Sequence, residues 1–180
     1  ITLAPESKKL FMKNLVLLSF TTLLLAGCNQ PVNEACEALA ETNALTEKNI
    51  EVYKTAWTAF FENRDSSALN AESFDEQATI ITATGNITGL DAFRDYYTNY
   101  LTGFSDAEFT FIDVFGHGDK LVKHWNFKGT FDGEMFGLTA TNKKLDLSGT
   151  TIVTMKDGRV LSEEDFFDNH TFLTQLGLLE

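Results

Sequence analysis

The stretch LDLSGTTIVTMKDGRVLSEEDFF, residues 145–167, decides the fold. Leu145–Met155 is rich in β-branched residues, and Arg159–Phe167 resumes after Lys156-Asp157-Gly158. An Asp-Gly pair between two such runs is a strong hairpin signal. Working back along the chain, Glu108–Phe115 and Leu121–Thr130 form a second pair of strands across Gly116-His117-Gly118-Asp119. Gln77–Thr84 reads as a further strand. The segments before and between are helical. Ile50, Tyr53, Trp57, Phe60 and Phe61 recur at helical spacing, as do Leu90, Phe93, Tyr97, Tyr100 and Leu101 after the turn residues 85–89. Short helices are expected near Ser66–Ser73 and Thr171–Leu176, the latter ending at Gly177. Helices followed by a run of antiparallel strands specify an α+β fold, with helices on one face of a curved antiparallel sheet. Aromatic stripes on both facing surfaces can fill a core or line a cavity.

The N-terminal part is of another kind. Leu15–Gly27 is an apolar run preceded by Met12-Lys13-Asn14 and ended by Cys28. It is too short to span a bilayer core, which takes roughly 20 helical residues. A cationic start, a short apolar run and small residues form the pattern of a secretory signal. Leu25-Ala26-Gly27-Cys28 resembles the lipobox of bacterial lipoproteins, in which the Cys carries lipid after cleavage. The expected organisation is therefore 1–27 as upstream segment and signal peptide, 28–46 as a lipidated flexible tether, and 47–180 as the folded domain. It implies a cell-envelope protein that meets the membrane only through its anchor at Cys28. A formal net charge of −12 argues against nucleic-acid binding, which needs a basic footprint. With Cys28 lipidated, Cys36 is the remaining cysteine and no intrachain disulfide forms.

Three blocks of the second half resemble the SnoaL-like polyketide cyclase family, within the nuclear transport factor 2-like superfamily. Gly118-Asp119-Lys120-Leu121-Val122 with Trp125 and Gly129-Thr130 resembles a strand of that family. Phe136-Gly137-Leu138 with Thr141 and Lys143 resembles its following loop. Asp157-Gly158-Arg159-Val160, then Asp168 and Gln175-Leu176-Gly177, resembles its last strand and terminal helix. The resemblance implies a cone-shaped barrel with a pocket between helices and sheet. It also implies acid/base chemistry without metal or cofactor, by an Asp at the place of Asp168. One departure stands out: Phe131 follows Gly129-Thr130, where cyclase-like members commonly read Gly-Thr-His.

Strict alternation along Arg159–Asp168 puts Val160, Ser162, Glu164, Phe166 and Asp168 on one face. Asp168 at the end of a half-apolar face is the leading acid/base candidate, with the helix-cap role as its structural counterpart. Glu164 on the same face can share a proton with it. His124, on the strand Leu121–Thr130, is the third candidate, provided its face points inward. Trp57, Tyr97, Trp125 and Phe166 are the expected ligand-contacting aromatics. The chain carries no HExxH, CxxC, Walker-type loop or dinucleotide fingerprint, so metal and cofactor are both expected to be none. Two functions remain open. One is a cofactor-free enzyme acting on a small apolar carbonyl or ester compound. The other is a non-catalytic module that binds a small apolar molecule or pairs into a homodimer.

Overall fold

In a computed structural model of the chain, residues 30–179 are described, so the signal segment and Cys28 lie outside the described residues. The described chain parts into two units within its first helix, between Glu41 and Thr42. That helix, α1, runs Gln30–Glu62. The sequence predicts a flexible tether up to residue 46; the described part of that stretch is helical instead. Its run Glu34–Glu41 contains Ala, Glu and Leu, all good helix formers. The second unit, from Thr42 onward, holds everything else. It comprises a 3-10 turn at Ser66–Ala68, β1 (Phe74–Ile80), β2 (Ile87–Thr88), α2 (Leu90–Gly103), β3 (Glu108–His117), β4 (Lys120–Thr130), β5 (Lys144–Lys156), β6 (Arg159–Phe167) and α3 (Asn169–Gln175).

The α+β class is as the sequence predicts. The sheet, of order β2-β1-β6-β5-β4-β3, is open, with β2 and β3 as its edges, and mixed rather than wholly antiparallel. β1 lies parallel to β6. The chain reaches β6 only after α2 and the two later hairpins, a long-range pairing that no local turn signal announces.

Each helix takes its place through its aromatic stripe. Tyr53, Trp57, Phe60 and Phe61 of α1 are buried, as are Phe93, Tyr97 and Leu101 of α2. Trp57 meets Tyr97 edge-on at 4.6 Å between ring centroids, and Phe61 stacks on Phe109 of β3 at 4.5 Å. Arg64, at a left-handed φ of 51°, ends α1 and reaches across to donate to Phe104 O (3.0 Å) and to Leu101 O, tying α1 to the end of α2. At the other end of the packed part of α1, Thr46 Oγ1 accepts from Gly118 N (2.7 Å). Asn49 Nδ2 donates to Gly118 O (3.0 Å), so the β3–β4 turn is clamped onto the helix.

The two hairpins form as the sequence predicts. Asp157 and Gly158 both have positive φ (52° and 76°), the two-residue turn that matches strand twist. One irregularity matters most. Met155 pairs with Val160, but Thr154 pairs with Ser162, so Leu161 is an extra residue in β6. Such a bulge switches which alternate residues face inward from there on.

Gly149 of β5 lies under the Trp125 ring; a Cβ there would sit 2.3 Å from Trp125 Cζ2 and 2.8 Å from Phe166 O. We expect Gly149→Ala to cost about 1–3 kcal/mol, the range for overpacking a tight contact. Urea denaturation should show a lower midpoint at unchanged slope, and near-ultraviolet circular dichroism should report the displaced Trp125.

Candidate functional site

Between α1, α2, α3 and the inner face of the sheet lies a partly open cavity of about 50 Å³. That is room for roughly three or four waters at ~10–15 Å³ each. Its walls are largely aromatic: Trp57, Phe61, Tyr97, Tyr100, Phe109, Trp125, Phe127, Phe167 and Phe172, with Leu145 and Leu147. Two charged side chains reach it, Lys123 from β4 and Asp165 from β6.

Both belong to a polar network laid through the apolar interior. Lys123 is 3% exposed and Glu163 of β6 is fully buried; Lys123 Nζ stands 3.6 Å from Glu163 Oε2. Trp57 Nε1–H donates to Glu163 Oε1 at 3.0 Å. The Tyr97 hydroxyl lies 2.8 Å from Asp165 Oδ2 and 3.3 Å from Glu163 Oε2, so its single proton is best placed for Asp165. The second Asp165 oxygen accepts from the Thr151 hydroxyl, which in turn accepts from Trp125 Nε1–H at 3.0 Å. The Lys123 ammonium also stands over the faces of Trp57 (4.6 Å), Tyr53 (5.4 Å) and Phe109 (5.4 Å). Cation–π attraction of this kind strengthens when the cation is desolvated.

Burial sets the electrostatics. It pushes the Glu163 carboxyl up to about 7; Lys123 opposes the rise and Asp165 adds to it. Burial, followed by the charges of Asp165 and Glu163, holds Tyr97 well above its ordinary value, so its hydroxyl stays a donor. Tyr53 is raised for the same reason, and its buried hydroxyl has no hydrogen-bond partner among the described residues.

Several sequence-predicted positions fall elsewhere. Asp168 is exposed at the N-cap of α3, where its Oδ1 accepts from His170 N (2.9 Å) and Thr171 N (3.1 Å) and its Oδ2 from Thr171 Oγ1 (2.7 Å). Hydrogen bonds from Thr171 hold its carboxyl below the usual range. Glu164 faces the outer side of the sheet, opposite Ile152, which is itself exposed. Phe166 is 49% exposed on that outer side, and its neighbour Phe167 lines the cavity instead. The bulge at Leu161 is the physical reason for all three: after it, Glu163, Asp165 and Phe167 point inward rather than the even-numbered set. His124 is exposed, because β4 turns Leu121, Lys123, Trp125 and Phe127 inward. Trp57, Tyr97 and Trp125 do line the cavity. Phe131 is a fully buried core ring packed on Phe104 at 5.6 Å.

Sequence reasoning missed Lys123, Glu163, Asp165 and Thr151. Lys123 had a readable signal: it is the charged member of an otherwise apolar alternation, Leu121-x-Lys123-x-Trp125-x-Phe127. Thr151 similarly alternates with Leu147, Val153 and Met155. Glu163 and Asp165 had none, since only the bulge selects them.

Comparison with known proteins agrees with the fold. The sequence profile of SnoaL-like polyketide cyclases matches residues 51–176. Comparison with curated proteins gives no match. Among solved structures, a protein from Jannaschia sp. CCS1 assigned to the SnoaL-like polyketide cyclases superposes with a TM-score of 0.68 at 19% identity, over 76% of this chain and 96% of that one. TsrD from Streptomyces laurentii gives 0.65 at 20% identity, over 73% and 96%. TerC, co-crystallised with polyporic acid, gives 0.58 at 17% identity, over 72% and 98%. Likeness at these identities speaks for the fold.

The raised Glu163 carboxyl has a consequence for stability. The folded state binds its proton more tightly than the unfolded chain, so the contribution is full below about pH 4.5 and is lost as pH rises through about 7. The decline amounts to roughly 3 kcal/mol at ~1.4 kcal/mol per pKa unit. Denaturation midpoints measured from pH 4.5 to 8 should fall for the parent protein. In Glu163→Gln, whatever its overall stability, that fall should be absent. An identical slope in both proteins assigns it to another group.

Proposed function

Because this chain belongs to the SnoaL-like polyketide cyclase family, we propose that its pocket performs cofactor-free proton transfer on a small apolar carbonyl or ester compound, with Asp165 as the acid/base group. The observation that carries this reading is the Asp165 carboxylate, set in an aromatic-walled cavity and held at both oxygens by Tyr97 and Thr151. An ionised carboxylate has about four acceptor sites. Two are used by these donors, which fix its orientation and leave lone pairs free to take a proton from a substrate carbon. As that proton leaves, negative charge develops on the substrate's carbonyl oxygen, and the Lys123 ammonium, almost wholly buried in the cavity lining, supplies the compensating charge. Glu163 and Asp165 are two residues apart on one face of β6, and the Tyr97 hydroxyl stands between their carboxylates, 3.3 Å from Glu163 Oε2 and 2.8 Å from Asp165 Oδ2. An Asp base working in an apolar pocket is a known way to run such chemistry.

A second reading, a non-catalytic binding module, is favoured by Phe131, which fills with a core ring the place where cyclase-like members carry a histidine. On either reading the domain works at the cell envelope, tethered by lipid on Cys28. The apolar run Leu15–Gly27 ending at Cys28 supports that address.

Two measurements test these statements. Deuterium incorporation from D2O into a panel of small ketones and esters, followed by NMR, should be catalysed by the parent protein and fall about 10²–10⁴-fold in Asp165→Asn. Asp168→Asn should exchange at the parental rate, since Asn caps a helix as well as Asp. Parental exchange in Asp165→Asn would overturn the assignment. For the anchor, Cys28→Ser should move the protein from the membrane fraction to the soluble fraction after lysis; unchanged membrane association would refute lipidation there.

A further inference from the structure

We propose that the Lys123 ammonium in the pocket lining is a subsite for an anionic oxygen, that it anchors a flat, conjugated acid there, and that binding is coupled to proton uptake by Glu163. This inference rests on the pocket reading above and adds the charge and shape of what the pocket takes.

The first argument is the state of the Lys123 ammonium. It carries three donors, is almost wholly withdrawn from water, and makes no hydrogen bond to a protein group among the described residues. Its ionic partner, Glu163 Oε2, stands at 3.6 Å, beyond hydrogen-bond range. The three aromatic faces around it attract the charge but accept no conventional hydrogen bond. A buried cation with unspent donors, at the wall of a cavity, is a binding group for an oxygen that accepts them.

The second argument is what surrounds Glu163. Every charged or titratable group facing it can be named: Lys123 from β4, Asp165 from β6 itself, Tyr97 from α2 and Tyr53 from α1; Trp57 adds its indole N–H. With Glu163 ionised, the two carboxylates outweigh the single cation, and a second anion entering beside Lys123 is repelled. When Glu163 takes a proton from solvent, the arriving anion replaces its charge next to Lys123 and the net charge of the pocket is unchanged. Burial favours the neutral acid near neutral pH, so the exchange is accessible.

The third argument is shape. The volume admits only a head of a few heavy atoms, and Lys123 is almost wholly buried while Tyr100, Phe109, Asp165 and Phe167 of the same lining are half-buried. Phe109 and Trp125, stacked at 29° between ring planes, give the lining a flat aromatic wall beside Lys123. A carboxylate, phenolate or enolate oxygen at the ammonium with a planar apolar remainder against these rings fits this layout.

Isothermal titration with benzoate, and with benzamide as its neutral isostere, tests the proposal at pH 6 and pH 8 in two buffers of different ionisation enthalpy. Benzoate should bind at least tenfold more tightly than benzamide. Its affinity should be roughly tenfold weaker at pH 8, where only a minor fraction of Glu163 is neutral and competent, with close to one proton taken up per benzoate bound. Lys123→Met should lose benzoate binding, and Lys123→Arg, which keeps the cation, should retain it and shows that the site tolerates substitution. Glu163→Gln should bind benzoate equally at both pH values with no proton uptake. Equal binding of benzoate and benzamide, benzoate binding with no proton uptake at pH 8, or no benzoate binding at millimolar concentration overturns the proposal. Asp165→Asn removes a neighbouring charge and shifts the pH dependence, but it keeps Lys123 and should still bind benzoate more tightly than benzamide whatever its exchange rate, so failure of the anion site and failure of Asp165 as base are read separately.

Discussion

Holding Lys123 and Glu163 out of water is the constraint around which the interior is arranged. Each ion alone would cost several kcal/mol to bury, and their mutual attraction repays this only with further donors in place. Those donors come from the helices: Trp57 of α1 and Tyr97 of α2 each turn a polar tip toward β6. Their rings meet edge-on at 4.6 Å, so the contact that packs α1 against α2 also positions the groups that satisfy the carboxylates. The helix stripes therefore do two jobs with the same side chains, filling the core with their bodies and completing a polar network with their ends. Replacing a buried ion pair by apolar residues of similar volume is often neutral or stabilising, so the pair is weak evidence of a role in stability.

The sheet brings these groups together through two local irregularities. The extra residue at Leu161 moves Glu163 and Asp165 onto the inner face. The bare backbone at Gly149 lets Trp125 lie flat enough for its indole N–H to reach Thr151, which holds Asp165. Without the bulge, β6 would turn Glu164 and Phe166 inward, and the carboxylates that meet Lys123, Tyr97 and Thr151 would face solvent. Bulges and glycines of this kind weaken a strand locally, and here both fall where side chains must be aimed at the cavity.

Much of the architecture was legible in the sequence because it is written locally. Helical spacing of aromatics marked the packed faces of α1 and α2, and Asp157-Gly158 marked the β5–β6 hairpin. Trp57, Tyr97 and Trp125 were readable as cavity residues since they lie on those stripes and on an alternating strand. The parallel pairing of β1 with β6 was not legible, because it depends on a distant return of the chain. Nor were Glu163 and Asp165, because a bulge leaves no mark in the alternation it interrupts. Lys123 was readable in principle, as a charge standing alone in an apolar alternation.

The contrast between Asp168 and Asp165 shows why position in a family pattern is a weaker guide than solvation. The two residues are three apart and chemically identical. Asp168 stands where α3 begins, and the unpaired N–H groups of that first turn, with the Thr171 hydroxyl, stabilise its charge in contact with water. Those donors favour the ionised form and keep the Asp168 carboxyl below the usual range. Asp165 is held by two hydroxyls inside an aromatic cavity, beside a neutralisable carboxyl and a buried cation. Phe131 fits the same pattern: the place of a family histidine is filled by a ring that serves the core on Phe104. The polar network of Lys123, Thr151, Glu163 and Asp165 lies instead on the central strands β4, β5 and β6, facing the aromatic interior.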